Sequence, residues 1–131
     1  MKKEVSIQSS ISNISIIENI IDEISIELSI VTELYGNILI AVIESVTNAI
    51  LHGNKSDENK LVKLVFSEEN NVLTISVSDE GNGFNYDNLP DPTKSENVEK
   101  PDGRGVFLMR HLADEVLFER DGATVILKFY L

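Results

Sequence analysis

The chain has 131 residues and no cysteine, and its 11 basic and 22 acidic residues give a net charge of −11. Hydrophobic residues make up 42% and charged residues 25%, which is typical of a soluble globular protein with one domain. The negative charge would repel a nucleic-acid backbone, and the absence of cysteine excludes disulfides and thiolate metal sites. Because we find neither a signal peptide nor an apolar run long enough to cross a bilayer, we expect a cytoplasmic protein that does not contact a membrane.

The first part of the chain predicts one strand and two helices. Val5–Ser9 alternates apolar and polar residues, which predicts a short strand at a sheet edge or between two copies of the chain. Apolar residues at helical spacing predict a first helix from about Asn13 to Ser29, with Asn13 or Ser15 as its N-cap. A second helix is predicted from about Tyr35 to His52, and the glycine that follows would end it.

The second predicted helix has an unusual polar face. Glu44, Asn48 and His52 are four residues apart, so they share one side of the helix. The opposite side is apolar and would pack in the core through Leu39, Ile43, Val46 and Ile50. The polar face would then point either toward a cleft, where Glu44 and Asn48 could handle phosphates and metal, or simply into solvent. Taken alone, the spacing favours solvent, and His52 is expected to be a helix-end residue.

Two further segments follow the second helix. Leu61–Phe66 and Val72–Ser78 are β-branched runs that predict a hairpin, with its loop in a polar stretch that includes Glu68–Asn71. Residues 85–102 contain all three prolines and almost no aliphatic side chain. A segment of this composition cannot bury a core, so we expect a long mobile loop with a functional role.

The last part of the chain predicts a helix and a second hairpin. The helix would open at Gly103 and continue to Ala113. Val116–Phe118 would then pair with residues 123–130 through a turn at Asp121–Gly122. Helices and antiparallel hairpins are therefore segregated along the chain, which predicts an α+β fold with helices on one face of a sheet.

Two glycine motifs are candidate ligand-binding segments. In Asp79-Glu-Gly-Asn-Gly83 the glycines can adopt positive φ and approach a flat ligand, while the Asp79 carboxylate can accept a hydrogen bond from an exocyclic amine. A simple turn after a strand is the alternative, and the motif alone favours it. Gly103-Arg-Gly105 at a helix start is a plausible phosphate cradle. Neither a dinucleotide-binding fingerprint nor a P-loop is present.

The order of these motifs is more specific than any one of them. A Glu…Asn helix, a hairpin ending in Asp-x-Gly-x-Gly, a polar loop and Gly-x-Gly opening a helix resemble the Bergerat-fold ATPases. Within that superfamily, Glu44–Gly53 and Gly103–Val116 are most similar to the anti-sigma-factor serine-protein kinases. The resemblance implies a single domain over residues 1–131, built as an ATP-binding sandwich with a mixed, mostly antiparallel sheet and helices on one face.

The resemblance also implies a role for each motif. Glu44 would be the general base, and Asn48 would ligate the Mg²⁺ ion that bridges the ATP phosphates. Asp79 would bind the adenine amino group, and residues 85–102 would be the ATP lid. The glycines of both motifs would shape the site: Gly81 and Gly83 at the adenine, and Gly103 and Gly105 at the phosphates.

Four other side chains have weaker assignments. Arg104 either contacts a phosphate or is exposed, and the sequence favours neither. Thr124 either reaches the adenine through water or is an ordinary strand residue. Met109 and His111 are expected to be packing or surface residues.

The activity implied by the resemblance is that of an ATP-dependent serine-protein kinase. It would phosphorylate a Ser or Thr of a small antagonist protein, sequester a sigma factor, or both, as a homodimer formed through the first strand. The alternative is a nucleotide-gated binding module without kinase activity; Glu44 favours the kinase, because a binder needs no base. An ATPase domain of a larger machine is disfavoured, since no transducer domain is expected. Ile16–Ile24 holds no basic residue, unlike many members of the family, so the identity of the partner stays open.

Overall fold

The computed structural model describes residues 1–84, 86 and 101–131, with side chains of the last segment described from Arg104 onward. It contains three helices: α1 Ile14–Glu27, α2 Thr32–Asn48 and α3 Pro101–Leu112. It contains five strands: β1 Lys2–Gln8, β2 Leu61–Glu69, β3 Val72–Ser78, β4 Glu115–Glu119 and β5 Thr124–Tyr130. The strands form one sheet in the order β1-β2-β3-β5-β4.

The helices cover one face of this sheet. Alternate strand residues point toward them and are buried, as in Val62, Leu64 and Phe66 of β2, because successive side chains of a strand point to opposite faces. The predicted α+β class with helices on one face is therefore confirmed. Each strand pairing in the described part of the chain is antiparallel, so the parallel component of the expected mixed sheet does not occur there.

The predicted first hairpin is present, with a shorter loop than expected. Asn70 and Asn71 alone form the turn, with φ of 54° and 64°, and Glu68 and Glu69 belong to β2. A two-residue hairpin turn of this hand requires positive φ at both positions, and asparagine tolerates that conformation. The second predicted hairpin is also present, as β4 and β5 joined by residues 120–122.

The first helix begins close to its predicted start. Asn13 occupies the N-cap position of α1, but its side-chain amide donates to the carbonyl of Gln8 at 3.0 Å instead of capping the helix. The helix buries a stripe of isoleucines against the sheet: Ile17, Ile21 and Ile24. β1 lies at a sheet edge, as one reading of its sequence predicted.

The central helix differs from its prediction at both ends. It begins at Thr32, three residues early, and a π-helical turn at Ala49–Gly53 follows it. Its buried stripe consists of Ile38, Ala41, Val42, Ser45 and Val46. Leu39 and Ile43, which were expected in that stripe, are only half-buried. Helix α2 contacts α1, α3 and the sheet, so these neighbours, and not one regular stripe, determine which of its residues are most buried.

The expectation that no apolar run is long enough to cross a bilayer is wrong by length and composition alone, because Thr32–Gly53 is 22 residues long with a mean hydropathy of 1.5. In this fold the same residues form the helix at the centre of the core. α3 begins at Pro101, two residues before the predicted start at Gly103. The remainder of the predicted lid, apart from Tyr86, lies outside the described residues.

Candidate functional site

A cleft opens where α2 and its π turn face the ends of β3 and β5. Its open volume, which includes the solvent at its mouth, is about 530 Å³. Helix α2 and the π turn line it with Ser45, Asn48, Ala49, His52 and Gly53. The rest of the wall is Val77, Asp79, Gly83, Phe84, Met109, Phe118, Gly122, Ala123 and Val125. Asp79 is the acidic residue in a lining that is otherwise apolar or uncharged.

Asp79 stands at the end of β3 with 8% of its surface exposed. Its backbone N–H donates to the carbonyl of Ala123 at 2.9 Å, and its carboxylate accepts the N–H of Gly81 at 2.7 Å. Burial raises the pKa of this carboxyl above its usual value, although the Gly81 hydrogen bond and the positive charge of Arg120 act in the opposite direction. A ligand that donates a hydrogen bond to Asp79 would offset part of this desolvation.

Two glycines make room for that carboxylate. A Cβ atom on Gly53 would lie 2.3 Å from Cγ of Asp79, and one on Gly81 would lie 2.3 Å from the carbonyl oxygen of Gly53. No side chain fits at either position unless the backbone moves. The end of the π turn and the Asp-x-Gly-x-Gly loop are thus in direct contact.

The third helix meets Asn48 in the same way. A Cβ atom on Gly105 would lie 2.6 Å from the side-chain nitrogen of Asn48, so the N-terminal part of α3 touches the amide of α2. Gly103 lies in the first turn of α3. Arg104 is exposed, and Glu44 is half-buried one turn before Asn48. Neither Arg104 nor Glu44 lines the described cleft itself.

The glycine loop is also bound to the turn between β4 and β5. Gly83 has φ of +83°, and a Cβ there would lie 2.0 Å from the carbonyl oxygen of Asp121. That same carbonyl accepts the N–H of Phe84 at 2.9 Å. The turn itself is strained, since Arg120 and Asp121 both have positive φ. The two loops therefore form one rigid end of the cleft.

An aromatic cluster at the cleft was not predicted from the sequence. The ring of Tyr86 stacks on Phe118 with centroids 4.3 Å apart, and Phe84 meets Phe118 edge to face at 5.7 Å. The guanidinium of Arg110 lies 5.5 Å from the Phe118 ring. The available signal was an aromatic residue directly after Gly83 and another in the strand of the second hairpin.

The remaining candidates lie at the rim or behind the wall. Thr124 is buried next to the end of β3, where its hydroxyl is 3.0 Å from that of Ser78 and accepts from Arg120 at 3.3 Å. His52 lies in the π turn and also lines the cleft. Met109 is buried in the wall, and exposed His111 stacks on Phe107, as expected of packing and surface residues.

The donor set limits how a cation could be held. In the part of the chain that the structure describes, no three His, Asp or Glu side chains are grouped so as to hold a metal ion. The amide of Asn48 offers one oxygen at the cleft. Mg²⁺ commonly binds through one or two protein oxygens and takes the rest from water and phosphates, so these residues fit Mg²⁺ bound together with a nucleotide.

Comparison with known proteins shows the family of the chain. The family model of the histidine kinase-like ATPase domain matches residues 19–129, from α1 to the end of the sheet. The chain belongs to this family. Among its relatives, the serine-protein kinase RsbW of Bacillus subtilis (strain 168) is 37% identical over 99 residues, which are 70% of this chain and 62% of the relative. The serine-protein kinase RsbW of Staphylococcus aureus (strain MSSA476) is 32% identical over 100 residues, 70% of this chain and 63% of the relative.

Membership in the histidine kinase-like ATPase family implies the use of ATP. In the described cleft a buried carboxylate lies beside an apolar wall. Gly53 and Gly105 have no room for a Cβ atom, so their backbone lies directly against Asp79 and Asn48, respectively. The chain spans less than two thirds of the length of the two relatives above, so these comparisons apply to the ATPase domain and not to the full length of a relative.

Proposed function

We propose that this protein is a regulatory serine-protein kinase of the anti-sigma type, which binds Mg-ATP in the cleft and phosphorylates a Ser or Thr of a small antagonist protein. The observation that supports this most is the meeting of three separate segments at one cleft. Asn48 contacts α3 near its N-terminus, at Gly105, and the π turn after Asn48 contacts Asp79. The relatives named above are serine-protein kinases, which favours a kinase over a binding module.

The adenine would bind against Asp79. The carboxylate accepts the exocyclic amine, and the apolar side chains Val77, Met109 and Val125 exclude water from the ring. Gly81 and Gly83 keep that end of the cleft open, and Thr124 reaches the ring through water. This arrangement distinguishes adenine from a purine that carries a carbonyl in place of the amine, because two acceptors would face each other.

The phosphates would lie at the start of α3. Free N–H groups in the first turn of a helix and the positive end of its dipole attract anions. Helix α3 begins at Pro101, so Gly103 lies in this first turn, whereas Gly105 follows it and lies against Asn48. Arg104 would add a positive charge beside the phosphates. When bound, Mg²⁺ would neutralise charge at the phosphates, and the side-chain oxygen of Asn48 would hold it. We propose residues 85–102 as the ATP lid, most of which lie outside the residues that the structure describes.

Glu44 would act as the general base. It lies one helical turn before Asn48 on α2, so its carboxylate is directed to the same side as the amide. It accepts the proton of the attacking Ser or Thr hydroxyl while that oxygen bonds to the γ-phosphorus, and ADP leaves with the pair of electrons of the broken bond. The products are ADP, the phosphorylated antagonist and a protonated Glu44 that returns its proton to solvent.

The proposal extends to location and partners. The protein acts in the cytoplasm, holds a sigma factor or its antagonist, and pairs with a second copy through β1, which is at a sheet edge. With a net charge of −11 it makes no direct contact with nucleic acid.

The test is to separate binding from chemistry at α2. Glu44→Gln keeps the shape of the side chain but removes proton acceptance, so phosphate incorporation into an antagonist should fall about 10²- to 10⁴-fold with ATP affinity nearly unchanged. Asn48→Ala should instead weaken Mg-dependent ATP binding itself, because the cation loses its protein ligand. Both quantities are measured with labelled ATP and with calorimetry.

The matched control is Glu33→Gln, which changes an exposed glutamate in the first turn of the same helix and should leave both quantities unchanged. Equal phosphorylation by the wild type and Glu44→Gln would remove Glu44 as the base. A wild-type protein that binds ATP and an antagonist but never transfers phosphate would be a nucleotide-gated binding module.

A further inference from the structure

Asn54 is a buried polar residue for which the function proposed above has no role. It directly follows the π turn that ends α2, and none of its surface is exposed. A buried amide is costly unless its donors and acceptor are all paired. The segments around Asn54 must therefore supply hydrogen-bond partners for its amide. The identity of these partners shows which segments Asn54 connects.

The side chain of Asn54 is paired on both sides. Its nitrogen donates to the hydroxyl of Ser9 at 2.9 Å and to the carbonyl of Leu61 at 3.0 Å. Its oxygen accepts the backbone N–H of Glu80 at 2.7 Å. The Ser9 hydroxyl in turn donates to the carbonyl of Lys60 at 2.7 Å. One amide thus joins the end of β1, the start of β2 and the residue that follows Asp79.

The backbone of Asn54 fixes the π turn at the same time. Its N–H donates to the carbonyl of Ala49 at 2.8 Å, and its carbonyl accepts the N–H of Asp57 at 3.0 Å. Gly53, directly before it, lies against the Asp79 carboxylate with no room for a Cβ. Asn54 therefore controls both surfaces that meet at Asp79: the π turn through its backbone, and the Asp79–Glu80 peptide through its side-chain oxygen.

We propose that Asn54 is a positioning residue for adenine recognition, which acts through Asp79 and does not touch the nucleotide. The inference rests on the proposed binding of adenine by Asp79. The hydrogen bond from Glu80 to Asn54 holds the peptide after Asp79, while the N–H of Asp79 is held by Ala123. With both sides of the residue fixed and the carboxylate bonded to the N–H of Gly81, the orientation in which the carboxylate can accept a ligand amine is restricted.

A purely structural role of Asn54 and a positioning role predict different effects of removing its side chain. If Asn54 only stabilises the fold, removing it lowers the free energy of unfolding and leaves the folded fraction with unchanged nucleotide preference. If Asn54 orients the carboxylate of Asp79, the folded variant loses its preference for adenine nucleotides. The informative quantity is therefore the affinity for ATP divided by the affinity for inosine triphosphate, which has a carbonyl in place of the amine.

The experiment measures both affinities by calorimetry at saturating Mg²⁺, on protein whose fold is verified by circular dichroism. The wild type should prefer ATP about tenfold or more, the size of one charge-assisted hydrogen bond. In Asn54→Ala this ratio should fall about fivefold or more, while affinity for inosine triphosphate changes less than about twofold, because phosphate contacts remain. Asn59→Ala, an exposed asparagine in the same loop, is the control and should keep the wild-type ratio.

Ser9→Ala covers the case in which Asn54→Ala does not fold. It removes one of the two acceptors of the Asn54 nitrogen and touches nothing at the cleft, so the ratio should fall about twofold. A folded Asn54→Ala with the wild-type ratio would overturn the inference and leave the proposed function standing; an unchanged ratio in Ser9→Ala would do the same if Asn54→Ala is unfolded. A wild type that binds both nucleotides equally would instead overturn adenine recognition by Asp79, and the role of Asn54 with it.

Discussion

At the scale of single residues, the buried Asp79 carboxylate lowers the stability of the folded protein at neutral pH and offers a ligand a hydrogen-bond acceptor. Its carboxyl is buried, and this burial raises its pKa above the ordinary value of 3.8. The folded protein therefore binds this proton more tightly than the unfolded chain does. The stabilisation that results is present at low pH, and it is lost as the pH rises from about 3.8 through the pKa of the folded state. At neutral pH the ionised carboxylate is a net cost to folding.

Asp79→Asn should for this reason separate binding from stability. The amide carries no charge to desolvate, so at pH 7 the free energy of unfolding should equal or exceed that of the wild type, and this advantage should shrink as the pH approaches 4. ATP affinity should fall about tenfold or more, because the charge-assisted hydrogen bond to adenine is lost. Urea unfolding at several pH values and calorimetry with ATP measure the two effects. A variant that is less stable than the wild type at pH 7, or binds ATP normally, would contradict this account.

The residues that the sequence analysis identified differ from those that it missed. The former belong to local motifs, whereas the positions of the latter depend on contacts between distant segments. Asn48, Asp79 and Gly105 belong to local motifs that can be recognised in the sequence. The structure brings Asn48 and Asp79 to one cleft and packs Gly105 against Asn48. Phe118 and Asn54 were missed because their positions depend on contacts between segments far apart in the chain. A buried amide such as Asn54 looks like an ordinary loop asparagine until its partners are known.

At the scale of elements, strands were easier to predict than helix ends. β2 and β3 are rich in β-branched residues and are joined by two asparagines that suit a tight turn, so local chemistry determines the hairpin. The π turn at Ala49–Gly53 has no comparable sequence signal. It is held by tertiary hydrogen bonds around Asn54, and the site depends on it because it brings Gly53 against Asp79.

Helix α1 is electrostatically unfavourable at its C-terminal end. Its last turn has no basic residue, and exposed Glu27 stands there four residues after Glu23. Glu27→Lys reverses the interaction with the helix dipole and creates an i,i+4 ion pair, so it should stabilise the protein by about 0.5–1.5 kcal/mol at low salt. Glu27→Gln should give roughly half of the gain. Urea unfolding measures both, and a gain that persists unchanged in 0.5 M salt would show that its origin is not electrostatic.

At the scale of the whole molecule, charge and sheet edges together constrain self-association. Each copy has a net charge of −11, so two copies repel each other at low ionic strength. Among the described strands β1 pairs only with β2, which leaves its other side available. Antiparallel pairing of two β1 strands about Val5 would place Glu4 opposite Ser6 and Lys3 opposite Ile7 of the second copy. No like charges then face each other across the axis, so the edge is compatible with a symmetric dimer.

Ser6 tests this dimer without disturbing the monomer. It is exposed and lies beside Lys63 of β2, so the glutamate introduced by Ser6→Glu has a favourable neighbour in its own sheet. In the dimer each introduced glutamate would lie opposite Glu4 of the other copy, which gives two like-charge contacts. The dimer dissociation constant should rise about three- to tenfold, whereas Ser6→Lys should lower it by pairing with the partner's Glu4. Sedimentation equilibrium at 0.02 and 0.15 M salt measures the constants, and the wild-type dimer should be tighter at the higher salt because the repulsion between the two negative copies is screened. A wild type that stays monomeric, or two Ser6 variants with the same constant, would exclude β1 as the interface.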